Sequence, residues 1–441
     1  MILIKKNKFI ILILAGIVLN VITQKLEGET FDSLMSRGNK YIKMGQMDEA
    51  KKIFEKILEI NPDHSDAHFL LGSILYSQQK WNEAINEFKY VISVRTEFSN
   101  AHFMLANCYY QIEDMTNAIE EYEKVLALDP NNIEVNQKLG KMFYKNKKFE
   151  EAEKYFTNIA KLSPFDTESF FYLGMCKYEL VKTDEAITIF KKLTEIEKNS
   201  MQGYYYLGMS YYIKGENDNA ISALRKAEIL NPNDIDTHCS LGLAYFTKNN
   251  LSMAIPEFKK AIDLRSDNVE ARANLAMVYF EQNKYNEALE EFKKVIQLNP
   301  KHKIAHKTLA KIYLKRGWLI DAREELKNIF ILDPSEMEPK DLLEFHVRHI
   351  VLLTEEEAKE IQNLIENGYN FSLLVRQRSQ DKNSIDTGGD LGFIKLGKFS
   401  LNFDTTLVNL PLGGYSSIIK IPTGFQIIQK LDERVITDEV K

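Results

Sequence analysis

The sequence predicts a mainly α protein, an α-solenoid of about nine 34-residue helix hairpins followed by a small α+β domain. Three observations lead there. Blocks of 34 residues laid out from Phe31 run without gap or insertion through Glu336, which makes nine units. Alanine occupies position 20 of every block: Ala50, Ala84, Ala118, Ala152, Ala186, Ala220, Ala254, Ala288 and Ala322. After Pro334 and Pro339 the rhythm stops, and Val347 to Leu353 is a β-branched run that reads as a strand.

The first element in the chain stands outside this plan. Lys5, Lys6 and Lys8 precede an apolar stretch from Phe9 to Ile22, so residues 1–25 read as an export signal or a short N-terminal membrane anchor. Lysines held on the cytoplasmic side would deliver the rest of the chain outside the cytoplasm, to the periplasm or cell envelope. No small-x-small cleavage site follows and no Cys is placed for lipidation, which leaves signal and anchor both open.

Residues 31–336 form the repeat region. Position 8 of each block is Gly or Ala, position 24 is aromatic or Leu, and position 32 is Pro in six blocks (Pro62, Pro130, Pro164, Pro232, Pro300 and Pro334). Small residues at 8 and 20 let two helices approach closely, the residue at 24 fills the gap beside them, and Pro stops the second helix. A hairpin of this size cannot bury its apolar face alone, so stability must come from stacking on its neighbours. These residues and this period resemble the tetratricopeptide repeat (TPR), which implies a right-handed solenoid that binds polypeptide.

First-helix positions 5, 9 and 12 share one helical face, which in that family lines a concave groove. The groove residues expected here are Phe69, Tyr76, Phe103, Tyr110, Tyr144, Phe171, Tyr178, Tyr205, Tyr212, Phe246 and Phe280, joined at position 9 by Met175, Met209, Leu243 and Met277. Such a lining suits apolar, variable polypeptide, and the same stripe is also what packing between neighbouring hairpins would demand. The family's dicarboxylate clamp is absent from the first block, which offers Met35 and Asn39. His68, His102, His238 and His306 recur at position 4, and no carboxylate or Cys is expected to join them as a metal site. Cys108, Cys176 and Cys239 read as small buried hydrophobes.

Residues 337–345 are expected as a linker, 346–435 as a domain of order β-α-α-α-β-β, and 436–441 as a tail. Thr354 with Glu357 caps a helix that runs to Asn367-Gly368. Further helices are expected near Phe371–Arg378 and Leu401–Leu410, and strands near Tyr415–Ile421 and Phe425–Leu431. Val347-Arg348-His349-Ile350, Gly368 to Phe371, the Ser379 to Gly392 loop with Gly388-Gly389-Asp390-Leu391-Gly392, and Thr423-Gly424-Phe425 resemble the parvulin-type (PpiC-type) peptidyl-prolyl isomerases. That resemblance implies a proline pocket of Leu391, Phe399 and Phe403, with His349, Asp381, Thr423 and Gln426 on its polar, catalytic side. Gln426 departs from the family, which has a second histidine there.

Composition narrows the function. Against 63 Asp+Glu stand 57 Lys+Arg, a formal charge of -6 that is too mild for a nucleic-acid binder. Three cysteines exclude a disulfide framework. The loop Gly392–Lys398 has phosphate-loop spacing, yet Phe399 stands where Ser or Thr would be needed, so no nucleotide is expected. No metal or cofactor is expected either. Two readings remain: an exported or anchored folding factor that binds polypeptide clients and isomerises X-Pro bonds, and a non-catalytic envelope scaffold whose parvulin module only docks peptides. Membrane contact is expected only through the N-terminal segment.

Overall fold

A computed structural model describes residues 30–436 of the 441-residue chain. The expected signal or anchor lies outside the described residues, as does the tail beyond residue 436. No helix among the described residues is long and apolar enough to cross a membrane. The chain divides between Lys214 and Gly215 into two compact units.

In the first unit, α1 (Phe31–Lys43) pairs with α2 (Met47–Ile60), α3 (Ser65–Ser77) with α4 (Trp81–Val94), and α5 (Ser99–Gln111) with α6 (Met115–Leu128). Then α7 (Ile133–Lys145) pairs with α8 (Phe149–Leu162) and α9 (Thr167–Glu179) with α10 (Thr183–Ile196), and α11 (Met201–Lys214) ends the unit. The second unit opens with α12 (Asn217–Leu230). It continues with the hairpins α13 (Ile235–Thr247) and α14 (Leu251–Leu264), α15 (Val269–Glu281) and α16 (Tyr285–Leu298), and α17 (Lys303–Arg316) and α18 (Leu319–Leu332). Every helix begins at the first or seventeenth residue of its 34-residue block.

The close approach inferred from small residues is met by aromatic rings. A Cβ on Gly38 would lie 2.6 Å from the Phe54 ring, and one on Gly174 or Gly242 equally close to Phe190 or Phe258. Those rings and the position-20 alanines have no exposed surface. The helix-to-helix turn has its own rule. Block position 15 takes a positive φ in all nine blocks, as Gly45, Gly215 and Gly317 and as Gln79, Glu113, Lys147, Val181, Asn249 and Asn283.

The position-4 histidines correct the sequence reading, because each is joined by a carboxylate. Nδ1 of His68, His102, His238 and His306 faces Glu87, Glu121, Glu257 and Glu325 at 2.5–2.8 Å. Nε2 faces the carbonyl of Pro62, Thr96, Pro232 or Pro300, from the preceding block, at 2.7–3.0 Å. Arg272 replaces histidine in the eighth block with the same two acceptors, Ser266 O and Glu291. The motif therefore ties one hairpin to the loop that leads out of the previous one. Glu228, His238 and Glu257 lie close enough to suggest an ion site, but the Arg225 guanidinium already binds both carboxylates, at 2.6 and 2.8 Å. All three cysteines are free; Cys108 and Cys176 are buried as expected, and burial pushes their thiols up to about 12, whereas Cys239 is only partly buried.

The C-terminal elements are α19 (Met337–Leu342), β1 (Leu343–Leu352), α20 (Glu355–Glu366), α21 (Phe371–Arg378), β2 (Asp390–Lys395), α22 (Leu401–Asn409), β3 (Ile419–Ile421) and β4 (Gly424–Val435). The sheet is antiparallel in the order β2-β1-β4-β3. Three features differ from the sequence expectation. The strand expected near Tyr415–Ile421 shortens to Ile419–Ile421, with Tyr415 making only an isolated bridge to Gln429. Residues 337–345 are no linker but a helix and the first three residues of β1. The glycine turn leads straight into strand β2, which periodicity missed because its glycine and short length mask the alternation. One sheet face packs Ile350, Leu352 and Ile427 on α20 and α21 through Ile361, Phe371 and Val375. The other face shares a core with α22 and with Leu326, Ile329 and Phe330 of the last repeat helix, α18. At that boundary Glu433 of β4, 7 % exposed, accepts from Lys327 Nζ at 2.6 Å and from Lys430 Nζ at 3.1 Å.

Candidate functional site

β1 delivers His349 to the site, and β4, its neighbour, delivers Gln426. Between α21 and β2 a loop folds back over β1: Gln380 N donates to Val351 O and His349 N to Gly389 O, at 2.8 and 2.9 Å. Gly389 cannot be replaced cheaply there. Its φ is +87°, and an added Cβ would lie 2.2 Å from the His349 carbonyl. The fold-back sets Asp381 Oδ2 at 2.6 Å from His349 Nε2, while Ser384 Oγ lies 2.9 Å from that nitrogen and donates to the same carboxylate at 2.5 Å.

These contacts fix the imidazole. A carboxylate only accepts, so Nε2 carries the proton. Nδ1 is then bare and accepts from the Gln426 amide at 2.6 Å. His349 and Gln426 are 7 % and 4 % exposed, and burial lowers the histidine's pKa despite the opposing hydrogen bond and charge of Asp381. Burial alone would raise Asp381, but the hydrogen bonds from Ser384 and His349 prevail and its pKa is lowered. The pair is thus a carboxylate beside a neutral imidazole.

Beside this network lies a cavity of about 720 Å³ lined by His349, Asp381, Thr423, Gln426, Phe399 and Phe403. Six of the seven residues expected for the proline site are brought together. Leu391 is the correction: it does not line the cavity but packs, partly buried, on the core that includes Phe403. Phe399 and Phe403 meet at 4.5 Å between ring centres, Phe403 buried and Phe399 39 % exposed. Leu353, Ile421 and Pro422 add apolar wall that sequence reasoning had not singled out, and Ser384, buried behind the lining, holds Asp381 and His349 in place. The resemblance had pointed to the loop that holds Ser384 without assigning that residue a role.

A second cavity, about 690 Å³, lies in the first unit, lined among others by Tyr110, Tyr144, Tyr172, Met142, Lys138 and Lys141. The expected groove rings divide here. Tyr144 meets Phe149 and Tyr172 edge-on, Tyr178 meets Tyr206, and Phe69 packs on Phe88 and Phe98. These rings pack between neighbouring helices, as do Tyr76 on Trp81, Phe103 on Tyr122, Phe171 on Tyr206, and Phe280 on Tyr285, whereas Tyr205, partly buried, meets Tyr206 of its own helix. Tyr212 and Phe246 are partly buried. Tyr110 alone of the eleven is exposed, at 41 %.

Comparison with known proteins agrees with both resemblances. Residues 353–432 match the PPIC-type PPIASE domain. Residues 208–249 and 242–282 match a TPR repeat and 269–302 a tetratricopeptide repeat. Residues 22–141 match the tetratricopeptide repeat protein 21 C-terminal ARM domain, and 113–193 match anaphase-promoting complex, cyclosome, subunit 3. Foldase protein PrsA 2 of Bacillus cereus is 37 % identical over 100 residues, which is 22 % of this chain and 35 % of the relative. Periplasmic chaperone PpiD of Haemophilus ducreyi is 35 % identical over 91 residues, 21 % of this chain and 15 % of the relative. The chain therefore spans about a third or less of either. Among solved structures, YrrB, described as a TPR protein with an unusual peptide-binding site, is 21 % identical with a TM-score of 0.38 and covers 42 % of this chain and 95 % of its own.

Proposed function

We propose that this chain is a folding factor acting outside the cytoplasm, in which the repeats bind polypeptide clients and the C-terminal domain isomerises their X-Pro bonds. The observation that carries the reading is the Phe399–Phe403 wall facing the His349–Asp381–Gln426 network across one cavity, inside a domain that matches the PPIC-type family. The relative named a periplasmic chaperone and the lysine-flanked apolar N-terminus support the location, with signal and anchor still the two forms it would take.

The chemistry asked of the site is modest. Rotation about X-Pro faces a barrier of about 18–20 kcal/mol, because resonance keeps the amide planar. A proline ring seated on Phe399 and Phe403 is held out of water while the rest of the peptide turns. The polar wall then favours the twisted amide, whose carbonyl and nitrogen are no longer conjugated, over the planar one. Only that difference accelerates the reaction. The Gln426 amide, which has a second N–H beyond the one given to Nδ1, and the Thr423 hydroxyl supply hydrogen bonds, while neutral His349, engaged on both nitrogens by Asp381 and Gln426, orients that amide without bringing a full positive charge into the pocket. No nucleophile takes part.

Gln426 also favours a second reading, a module that docks proline peptides without turning them over, because an amide cannot titrate as the family's histidine can. Refolding of a client whose slow phase is prolyl isomerisation separates the two. Acceleration of that phase by catalytic amounts of the full chain supports the folding factor; binding of the unfolded client with an unchanged slow phase supports the docking module.

A further inference from the structure

The cavity wall at Phe399 is carried by an exposed loop. β2 ends at Lys395, Leu396 is buried, and residues 397–400 are exposed before α22 begins at Leu401. A short exposed loop has few contacts to hold it in one conformation. Two hydrogen bonds tie this one to α22: Phe403 N donates to Ser400 Oγ at 3.3 Å, and Gly397 N donates to Asp404 Oδ2 at 2.7 Å. Phe399 lies between the two ties. The turn itself needs glycine at 397, where φ is +83°. Packing alone does not account for Asp404. It is 2 % exposed, its Oδ1 meets no hydrogen-bond donor among the described residues, and burial raises its pKa although the Gly397 N–H and the charge of Lys340 oppose that shift. A carboxylate in such a place costs stability. It does one thing that an apolar side chain could not, which is to fix the Gly397 amide.

We propose that Asp404 is a positioning residue, holding the loop of residues 397–400 down on α22 so that the Phe399 ring stands against Phe403 as a wall of the proline cavity. The inference rests on the reading of this cavity as the X-Pro site. Asp404 is not among the lining residues, so it acts through Phe399 and not on the peptide. A wall fixed before the peptide arrives leaves less loop freedom to be lost on binding.

The test uses the full chain and a fluorescein-labelled Leu-Pro peptide. The dissociation constant and kcat/KM are measured for the wild type, Asp404→Ala, Phe399→Ala and the double variant, each first shown folded by circular dichroism. The expected result is that Asp404→Ala weakens binding about three- to tenfold, the range of one net hydrogen bond, and has no further effect once Phe399 is alanine. Asp404→Asn, whose carbonyl can still accept from Gly397, should recover most of the affinity. Gly397→Ala strains the same turn without touching the carboxylate and decides the matter should Asp404→Ala not fold: its loss of affinity should likewise vanish in the Phe399→Ala background. Wild-type affinity in folded Asp404→Ala, or a loss that adds to that of Phe399→Ala, overturns the role given to Asp404. A non-additive loss of affinity without acceleration of isomerisation sustains that role and instead overturns catalysis. A wild type that binds no Leu-Pro peptide overturns the reading of the cavity, and this inference with it.

Discussion

At the scale of single residues, the state of His349 decides what the site can do. Its Nε2–H points at Asp381 and its bare Nδ1 takes the Gln426 amide proton, so protonating Nδ1 would set two donors against each other. Because burial holds the histidine below its ordinary pKa of 6.5, the working neutral form persists as pH falls through the usual histidine range. The isomerisation rate of the wild type should therefore stay flat from pH 8 down to that value of 6.5 and decline only below it. Gln426→His should keep activity and add a second ionisation to the pH–rate profile; a profile unchanged by that substitution would mean that residue 426 does not touch the reacting network. None of this electrostatic state was legible in the sequence. Residue identities and family register gave the neighbours, but Ser384's place and the depressed histidine depend on how the loop of Gly389 folds over β1.

Among the elements, the turns and the histidine bridges follow rules that the repeat period could not reveal. Val181 holds φ +57° at block position 15 and is 73 % exposed. A left-handed conformation costs an L residue about 1–2 kcal/mol, and a β-branched one has no compensation in a solvent-facing turn. Val181→Gly should raise stability by about 0.5–1 kcal/mol, read as a higher melting temperature, since glycine relieves that strain at only its own chain-entropy cost. A lower melting temperature would show that Val181 contributes packing outweighing the strain. The bridges make an opposite kind of prediction. Burial would lower the pKa of His306, but its hydrogen bonds to Glu325 and the Pro300 carbonyl outweigh burial and raise it above 6.5. A pKa raised in the folded state gives stability that is complete below the unfolded value and fades as pH climbs through the folded one. Neighbouring His302, capping α17, is shifted down by burial and works the other way. Thermal unfolding between pH 6 and 8 should thus show a shallower loss of stability in His306→Gln than in wild type. The repeat boundaries were readable because nine alanines and a fixed period repeat the same packing problem. The bridges were not, since a carboxylate 19 residues away comes together with the histidine only after the hairpin closes. β2 escaped for a related reason: its edge position is set by pairing with β1, not by its own alternation.

On the scale of the whole molecule, the isomerase domain is not a detachable bead on the repeat array. The sheet of that domain shares its core with Leu326, Ile329 and Phe330 of the last repeat helix, so cutting the chain at residue 340 would expose apolar surface, and tests belong on the full chain. Most expected groove rings brace neighbouring helices, which leaves Tyr110 as the ring best placed to meet a client. Tyr110→Ala should weaken binding of an unfolded polypeptide severalfold while shifting the melting temperature little; a large loss of stability with normal binding by the folded remainder would assign even this ring to packing. The central claim, that the cavity under Phe399 and Phe403 seats proline and speeds its rotation, is tested most directly by exchange NMR of an X-Pro peptide with the full chain and with Phe403→Ala. Because emptying a buried phenylalanine site costs roughly 3–5 kcal/mol, circular dichroism must first show the variant folded, and Phe399→Ala, at the exposed ring, serves as the milder companion. The account predicts faster cis–trans exchange with the wild type and a loss of most of that acceleration in both variants. Exchange no faster than in free peptide with the folded wild type, or acceleration that survives both substitutions, would contradict it.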